Sequence, residues 1–223
     1  MSQPRAVIIS GAGRYSDPWH PFEETSAALA EELAHLGLGA SVCPTDGQVP
    51  DLAGADLLVV NAGGGSTTDE DDRLPEPAAL RVAAEEFTAG GGPTLVVHTG
   101  SNTFYESTRW AELIGGRWVP GTSMHPPLGQ ATVPVVDREH PITAGLRQLR
   151  VRDELYCYLD MAGTARPLVG HDYEDRRHPL VWVHEHDGVR VVYDAFGHDG
   201  QAYAGADRRE LLRREVRWLV GRG

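Results

Sequence analysis

Three short segments of the chain are apolar almost throughout, not at every second residue: Ala6-Val7-Ile8-Ile9-Ser10, Asp56-Leu57-Leu58-Val59-Val60 and Thr94-Leu95-Val96-Val97. A strand with one face in water alternates apolar and polar side chains. Nearly unbroken runs therefore belong to strands covered on both faces, the situation of a parallel sheet. Helical patterns separate them. A helix is expected over 21–36, with Pro21 at its start, Leu29, Leu33 and Leu36 on one face, and Gly37 as its stop. A second is expected over 77–89, ahead of Gly90-Gly91-Gly92-Pro93, and a strand over 40–43 closes at Pro44. This alternation predicts an α/β fold, a mostly parallel sheet with helices on both faces.

The second half changes character. Strand-like runs cover 131–136, 155–159, 167–170, 180–184 and 189–193, with few helices between them. The last two flank Glu185-His186-Asp187-Gly188 and predict an antiparallel hairpin with an Asp-Gly turn. A final helix over 207–220 should bury Leu212, Val216, Leu219 and Val220 and turn its arginines and glutamates to water. There is no internal repeat and no long linker, so residues 1–223 read as one domain. The acidic stretch 67–72 (TTDEDD) lacks the spaced ligands and central glycine of a calcium loop and reads as solvated.

Charge and composition exclude several functions. A net charge of −12 opposes nucleic-acid binding, which needs a basic face. All 20 basic residues are arginine; without lysine there is no Schiff base, no PLP anchor and no P-loop lysine. No apolar run reaches the roughly 20 residues of a membrane span. The N-terminus runs straight into a strand, unlike a signal peptide. Cys43 and Cys157 both lie in apolar runs and are expected as buried thiols, not as a disulfide. Together these features predict a cytoplasmic protein.

In an open parallel sheet, ligands bind beyond the carboxyl ends of the strands. Here that places the site among 11–20, 61–65, 98–103 and 197–203. The run Gly63-Gly64-Gly65 serves either as backbone donors to an oxygen or as a plain turn. Of the ten histidines, His35, His184 and His186 read as structural or solvent-facing, while His140 and His178, each before proline, shape loops. His98, His125 and His198 sit at strand ends or Gly/Pro-rich loops, where they suit acid–base work or zinc, although no HExxH spacing is present. Thr99 and Ser101 lack a base placed to activate them. Arg152-Asp153-Glu154-Leu155-Tyr156, just before the expected 155–159 strand, reads equally as site carboxylates or as a surface turn.

ADLLVVNAGGG (55–65), GGGPTLVVHTG (90–100), ELIGGRW (112–118) and MHPP (124–127) resemble, in this order, motifs of the ThuA-like family, named for trehalose utilisation. VVDREHPITAGL (135–146), DELY (153–156), HPLVWV (178–183) and VRVVYDAFGHDGQAY (189–203) continue the match over nearly the whole chain. The resemblance implies the class I glutamine amidotransferase-like fold, a flavodoxin-like doubly wound sheet, with an antiparallel extension from the second half. Relatives with amidotransferase activity carry Cys-His-Gly at the strand-to-helix elbow, where this chain has His98, and neither Cys43 nor Cys157 stands at that position. Cysteine-dependent amidotransfer is therefore not expected.

The resemblance further implies that His98, His125, Glu154, Tyr156 and His198 gather around one pocket. Gly13-Arg14-Tyr15 matches an early family segment, with His20 following at a different spacing. The expected ligand is a small carbohydrate and the expected activity a hydrolase, lyase or isomerase acting on a sugar or keto-sugar derivative. In that reading His98 and His198 are the acid–base pair and Glu154 orients them. Trp19, Tyr156 and Tyr203 pack on the sugar, and His20, Asn61, Gly64, Thr99 and His125 contact it. The alternatives are a non-catalytic sugar-binding module and a zinc hydrolase with His98, His125 and His198 as ligands. No other cofactor is expected, nor a nucleic-acid or membrane partner; a second copy of the chain is the expected protein partner.

Overall fold

The apolar runs become the interior strands. The computed structural model describes residues 3–64, 76–186 and 188–221, so Gly65 and the acidic stretch 67–72 lie outside the described residues. In chain order come β1 (Arg5–Ser10), α1 (Phe22–His35), β2 (Gly39–Pro44), β3 (Leu57–Asn61), α2 (Ala78–Ala89), β4 (Thr94–Val97) and α3 (Thr108–Ile114). Then follow β5 (Gly116–Arg117), β6 (Gly129–Pro134), β7 (Gln148–Asp153), β8 (Asp160–Met161), β9 (Arg166–Tyr173), β10 (Arg176–His186), β11 (Val189–Asp194) and α4 (Ala206–Leu219). The main sheet has the order β2-β1-β3-β4-β11-β10-β9. From β2 to β11 its neighbours are parallel, while β10 pairs antiparallel with both β11 and β9. Every residue of β3 and β4 is buried, as their unbroken apolar character requires.

The helix boundaries follow local chemistry. α1 stops at Gly37, which takes the left-handed φ of +79° that few other residues adopt. α3 starts at Ser107, whose hydroxyl accepts the Trp110 N–H, and ends at Gly115 in the left-handed region. Among the described residues no helix is long and apolar enough to cross a membrane.

Two sequence expectations need correction. The 155–159 run is not a strand: Tyr158 takes φ +58°, and the true strand is β7, just upstream, whose burial alternates residue by residue. β7 pairs only with β6, outside the main sheet, so Asp153 and Glu154 follow the body of a strand and do not precede one. α4 also does not turn all its charges to water. Arg208 is 1% exposed and Glu215 0%, and Arg208 Nη1 lies 2.8 Å from Asp194 Oδ2 and 4.0 Å from Glu215 Oε2. One guanidinium thus faces two carboxyls, and burial beside Asp194 raises the pKa of Glu215 well above its ordinary value. Asp194 is the last residue of β11, so this cluster anchors the loop that follows. Replacing Arg208 with Met would leave the carboxyls without their cation, and urea denaturation should register a loss of about 3–5 kcal/mol. A loss below about 1 kcal/mol would contradict this account of the cluster.

Candidate functional site

β1 has β2 on one side and β3 on the other, so the strand order reverses there and a crevice opens at the carboxyl ends. Loops leaving β1, β3, β4 and β11 all reach it. They frame a cavity of about 680 Å³ lined by Asp17, Trp19, His20, Gly64, Thr99, Ser101, Asn102, Trp118, Pro120, His125, Glu154, Tyr156 and His198. That volume and its mix of aromatic walls and polar groups suit a small-molecule ligand.

Each wall is set locally. β4 runs into a 3-10 turn, His98–Asn102, and His98 takes φ +50° at the bend. Gly100 makes the bend tight enough: a Cβ there would stand 2.6 Å from Val96 Cγ1. After β1, Asp17 Oδ1 accepts the N–H groups of Trp19 and His20, both at 2.9 Å, an Asx turn that presents His20 to the cavity. At the end of β7, Asp153 accepts the N–H of Gly197 at 2.7 Å, of Glu154 at 3.0 Å and of His198 at 3.3 Å. It thereby holds Glu154 and the loop after β11 in one frame. Arg152 reinforces this by pairing with Asp199 at 2.8 Å.

The centre of the site is the Glu154 carboxylate. Its Oε2 lies 3.3 Å from His198 Nδ1, 3.5 Å from His98 Nε2 and 3.8 Å from His20 Nε2. All four ligand atoms fall within 4.8 Å of one another. His20 Nε2, His198 Nδ1 and Glu154 Oε2 are buried and have no hydrogen-bond partner among the described residues. The far nitrogens of His20 and His98 are engaged. His20 Nδ1 contacts the Asp17 carboxylate at 2.7 Å, and His98 Nδ1 donates to the Ala195 carbonyl at 2.6 Å. Because a carbonyl only accepts, the neutral His98 carries its proton on Nδ1 and presents a lone pair at Nε2. An imidazole oriented through one nitrogen by a carboxylate or carbonyl, with the other aimed at a shared point, is the arrangement of metal-binding histidines. Three nitrogens and one oxygen form a donor set suited to zinc and neighbouring transition metals.

The charges are unequal. Burial works against a proton on His20, yet the carboxylates of Asp17 and Glu154 more than offset it and raise its pKa to about 9. Burial lowers His98 to about 4, helped by the neighbouring His20 charge. For Glu154, burial alone would favour the neutral form, but His198, His20 and His98 hold it well below the usual carboxylate range. Burial raises Asp153 to about 7 despite its backbone hydrogen bonds.

No placed nucleophile accompanies this cluster among the described residues. Thr99 donates its hydroxyl to the Ala62 carbonyl at 2.9 Å. The Ser101 hydroxyl contacts the His98 carbonyl and the Tyr193 hydroxyl. Cys43, expected as a buried thiol, is only half-buried because β2 is the edge strand, and Cys157 is the buried thiol expected, raised to about 11 by desolvation. Neither Cys43 nor Cys157 lines the cavity.

A family model, ThuA, described as trehalose utilisation, matches residues 17–219. The chain belongs to the ThuA family. A protein described as ThuA-like from Parabacteroides merdae superposes with a TM-score of 0.81 at 18% identity, covering 98% of this chain and 90% of the other. One from Bacteroides uniformis gives 0.71 at 17% identity, covering 98% and 93%. A glutamine amidotransferase of Thermotoga maritima gives 0.64 at 14%, covering 99% of each chain. At these identities the likeness is one of fold, and it is the flavodoxin-like, amidotransferase-type fold that the motifs implied. Among curated proteins none matches.

In this ThuA-family chain, Trp19, His20, Gly64, Thr99, His125, Glu154, Tyr156 and His198 all line the cavity, and His98, 2% exposed, sits behind them. Two expected residues do not. Asn61 is buried, with its amide donating to the hydroxyls of Thr25 and Ser26 at 2.9 Å, so it has no free donor for a ligand. Tyr203 is buried beneath the loop, its ring under the Arg208 guanidinium at 5.1 Å. The expected trio of His98, His125 and His198 also changes membership. His125 Nδ1 donates to the Pro126 carbonyl at 3.0 Å and lies 3.6 Å from Glu154 Oε1, the oxygen facing away from the cluster, while His20 completes the set. Asp17 and Asp153 were missed as orienting carboxylates. The Asp17–His20 spacing, with its turn-forming Asp-Pro, is a local signal that could have found the first.

The raised pKa of His20 has a sign that can be measured. The proton's contribution to stability is fully present below pH 6.5 and is lost as pH rises through about 9. In metal-free protein, His20→Gln should flatten the fall in unfolding free energy between pH 7 and 9.5, followed by urea denaturation. Parallel curves for the variant and the wild type would contradict the assigned charge.

Proposed function

We propose that the chain is an enzyme that holds a divalent metal, zinc by its donor chemistry, on His20, His98, His198 and Glu154, and uses it on a sugar or keto-sugar derivative. The observation that carries this reading is the convergence on one point of a cavity wall of three buried ligand atoms that face one another without a hydrogen bond among the described residues, together with the His98 lone pair. Four such atoms without a shared cation or proton would be costly to bury together.

The substrate class rests on the cavity and the family description. Trp19, Trp118 and Tyr156 supply flat apolar surfaces for a sugar ring, and Asp17, Asn102, Ser101 and His125 supply polar groups for hydroxyls. A bound divalent ion supplies Lewis acidity toward a carbonyl or hydroxyl oxygen. With keto-sugar carbonyls as the targets such an ion would polarise, the chemistry proposed is proton transfer next to a carbonyl, the isomerase or lyase type. His98 and His198, first read as an acid–base pair, become ligands, and His125 at the cavity mouth becomes the group able to exchange protons with a substrate.

The test has two parts. Elemental analysis of protein purified without added metal should find about one transition-metal ion per chain, zinc foremost, and Glu154→Gln should lose it. In deuterated water, the metal-loaded protein should exchange hydrogen next to the carbonyl of at least one member of a keto-sugar panel, followed by NMR, with His98→Ala inactive. Metal-free protein that takes up no added zinc would overturn the reading.

A further inference from the structure

The His98 Nε2 lone pair has two claimants. With Nδ1 donating to the Ala195 carbonyl, Nε2 can only accept, and the Tyr156 hydroxyl donates to it at 3.0 Å. The same nitrogen lies 3.5 Å from Glu154 Oε2 and belongs to the ligand set. An imidazole nitrogen has a single lone pair, so it serves a hydroxyl or a metal but not both.

Tyr156 is packed on three sides. Its ring stacks on His98 with centroids 4.7 Å apart and meets Trp118 edge-on at 4.9 Å. Its carbonyl accepts the His171 Nε2–H at 3.1 Å. An ion about 2 Å from Nε2 could not share that lone pair with an oxygen 3.0 Å away, so yielding it takes a small tilt of the phenol. Tyr156 lines the cavity, and its hydroxyl proton has a second in-plane position through which to take another partner.

We propose that the Tyr156 hydroxyl is a built-in competitor for the metal position on His98, displaced when the ion binds and thereby freed to donate a hydrogen bond to the substrate. This inference rests on the metal reading of the site. It makes Tyr156 a residue with opposite effects on two steps, weakening metal loading while preparing the substrate contact.

The probe is Co²⁺, whose visible absorption reports coordination, titrated into protein stripped of metal with a chelator. Tyr156→Phe keeps the ring and removes only the competitor, so it should bind Co²⁺ more tightly, on the order of 2- to 10-fold, the worth of one hydrogen bond. The d–d spectrum of the loaded variant should match that of the wild type. Equal or weaker binding by the variant, with normal binding by the wild type, overturns the inference alone; binding by neither overturns the metal reading with it. Should the variant not fold, Zn²⁺ titration of wild-type protein labelled at the tyrosine ζ-carbon decides. One of the seven tyrosine resonances should move in step with loading, and none moving overturns the proposal.

Discussion

A carboxylate buried at the carboxyl end of a parallel sheet needs compensation, because removing its hydration costs several kcal/mol. Glu154 meets that need in a chain without lysine and, among the described residues, without an arginine ion pair. Three imidazoles from three different strand ends turn toward one of its oxygens, and a fourth approaches the other. Much of the upper face of the molecule is arranged around this demand. β7 stands outside the main sheet and delivers Glu154 across the crevice; Asp153, one residue earlier, gathers the backbone of the loop after β11 so that His198 arrives at the same point.

The support continues inward. Ala195 fixes the His98 tautomer through its carbonyl, and its place follows from Asp194, held by the buried Arg208. A guanidinium in the core, a backbone carbonyl and an imidazole nitrogen at the cavity wall therefore form one mechanical line. Rigid support of this kind is what a preorganised ligand set requires. The elbow after β4 turns the His98 imidazole inward, under the cavity wall.

The main sheet was legible because fully apolar strands have few alternatives, and the site's general place followed from the rule that ligands bind where strand order reverses. Motif order carried more than spacing did: it pointed to one pocket for His125, Glu154, Tyr156 and His198, which come from the loop before β6, the segment after β7 and the loop after β11. What stayed hidden lies in long-range pairing. Nothing local distinguishes Arg208 and Glu215 from the exposed charges of the same helix, and the contiguous Leu155-Tyr156-Cys157 looks more strand-like than the alternating β7 that precedes it. Asn61 and Tyr203 lie outside the cavity lining for different reasons: Asn61 ends β3 with its amide spent on Thr25 and Ser26, and Tyr203 is buried against Arg208.

The most direct test of the central claim is a crystal structure of the protein grown with zinc, with anomalous diffraction recorded across the zinc absorption edge. The account predicts one strong peak among His20 Nε2, His98 Nε2, His198 Nδ1 and Glu154 Oε2, with each ligand atom about 2.0–2.2 Å away. Well-ordered side chains at the same four residues with no peak between them, or a peak elsewhere with this cluster empty, would contradict it.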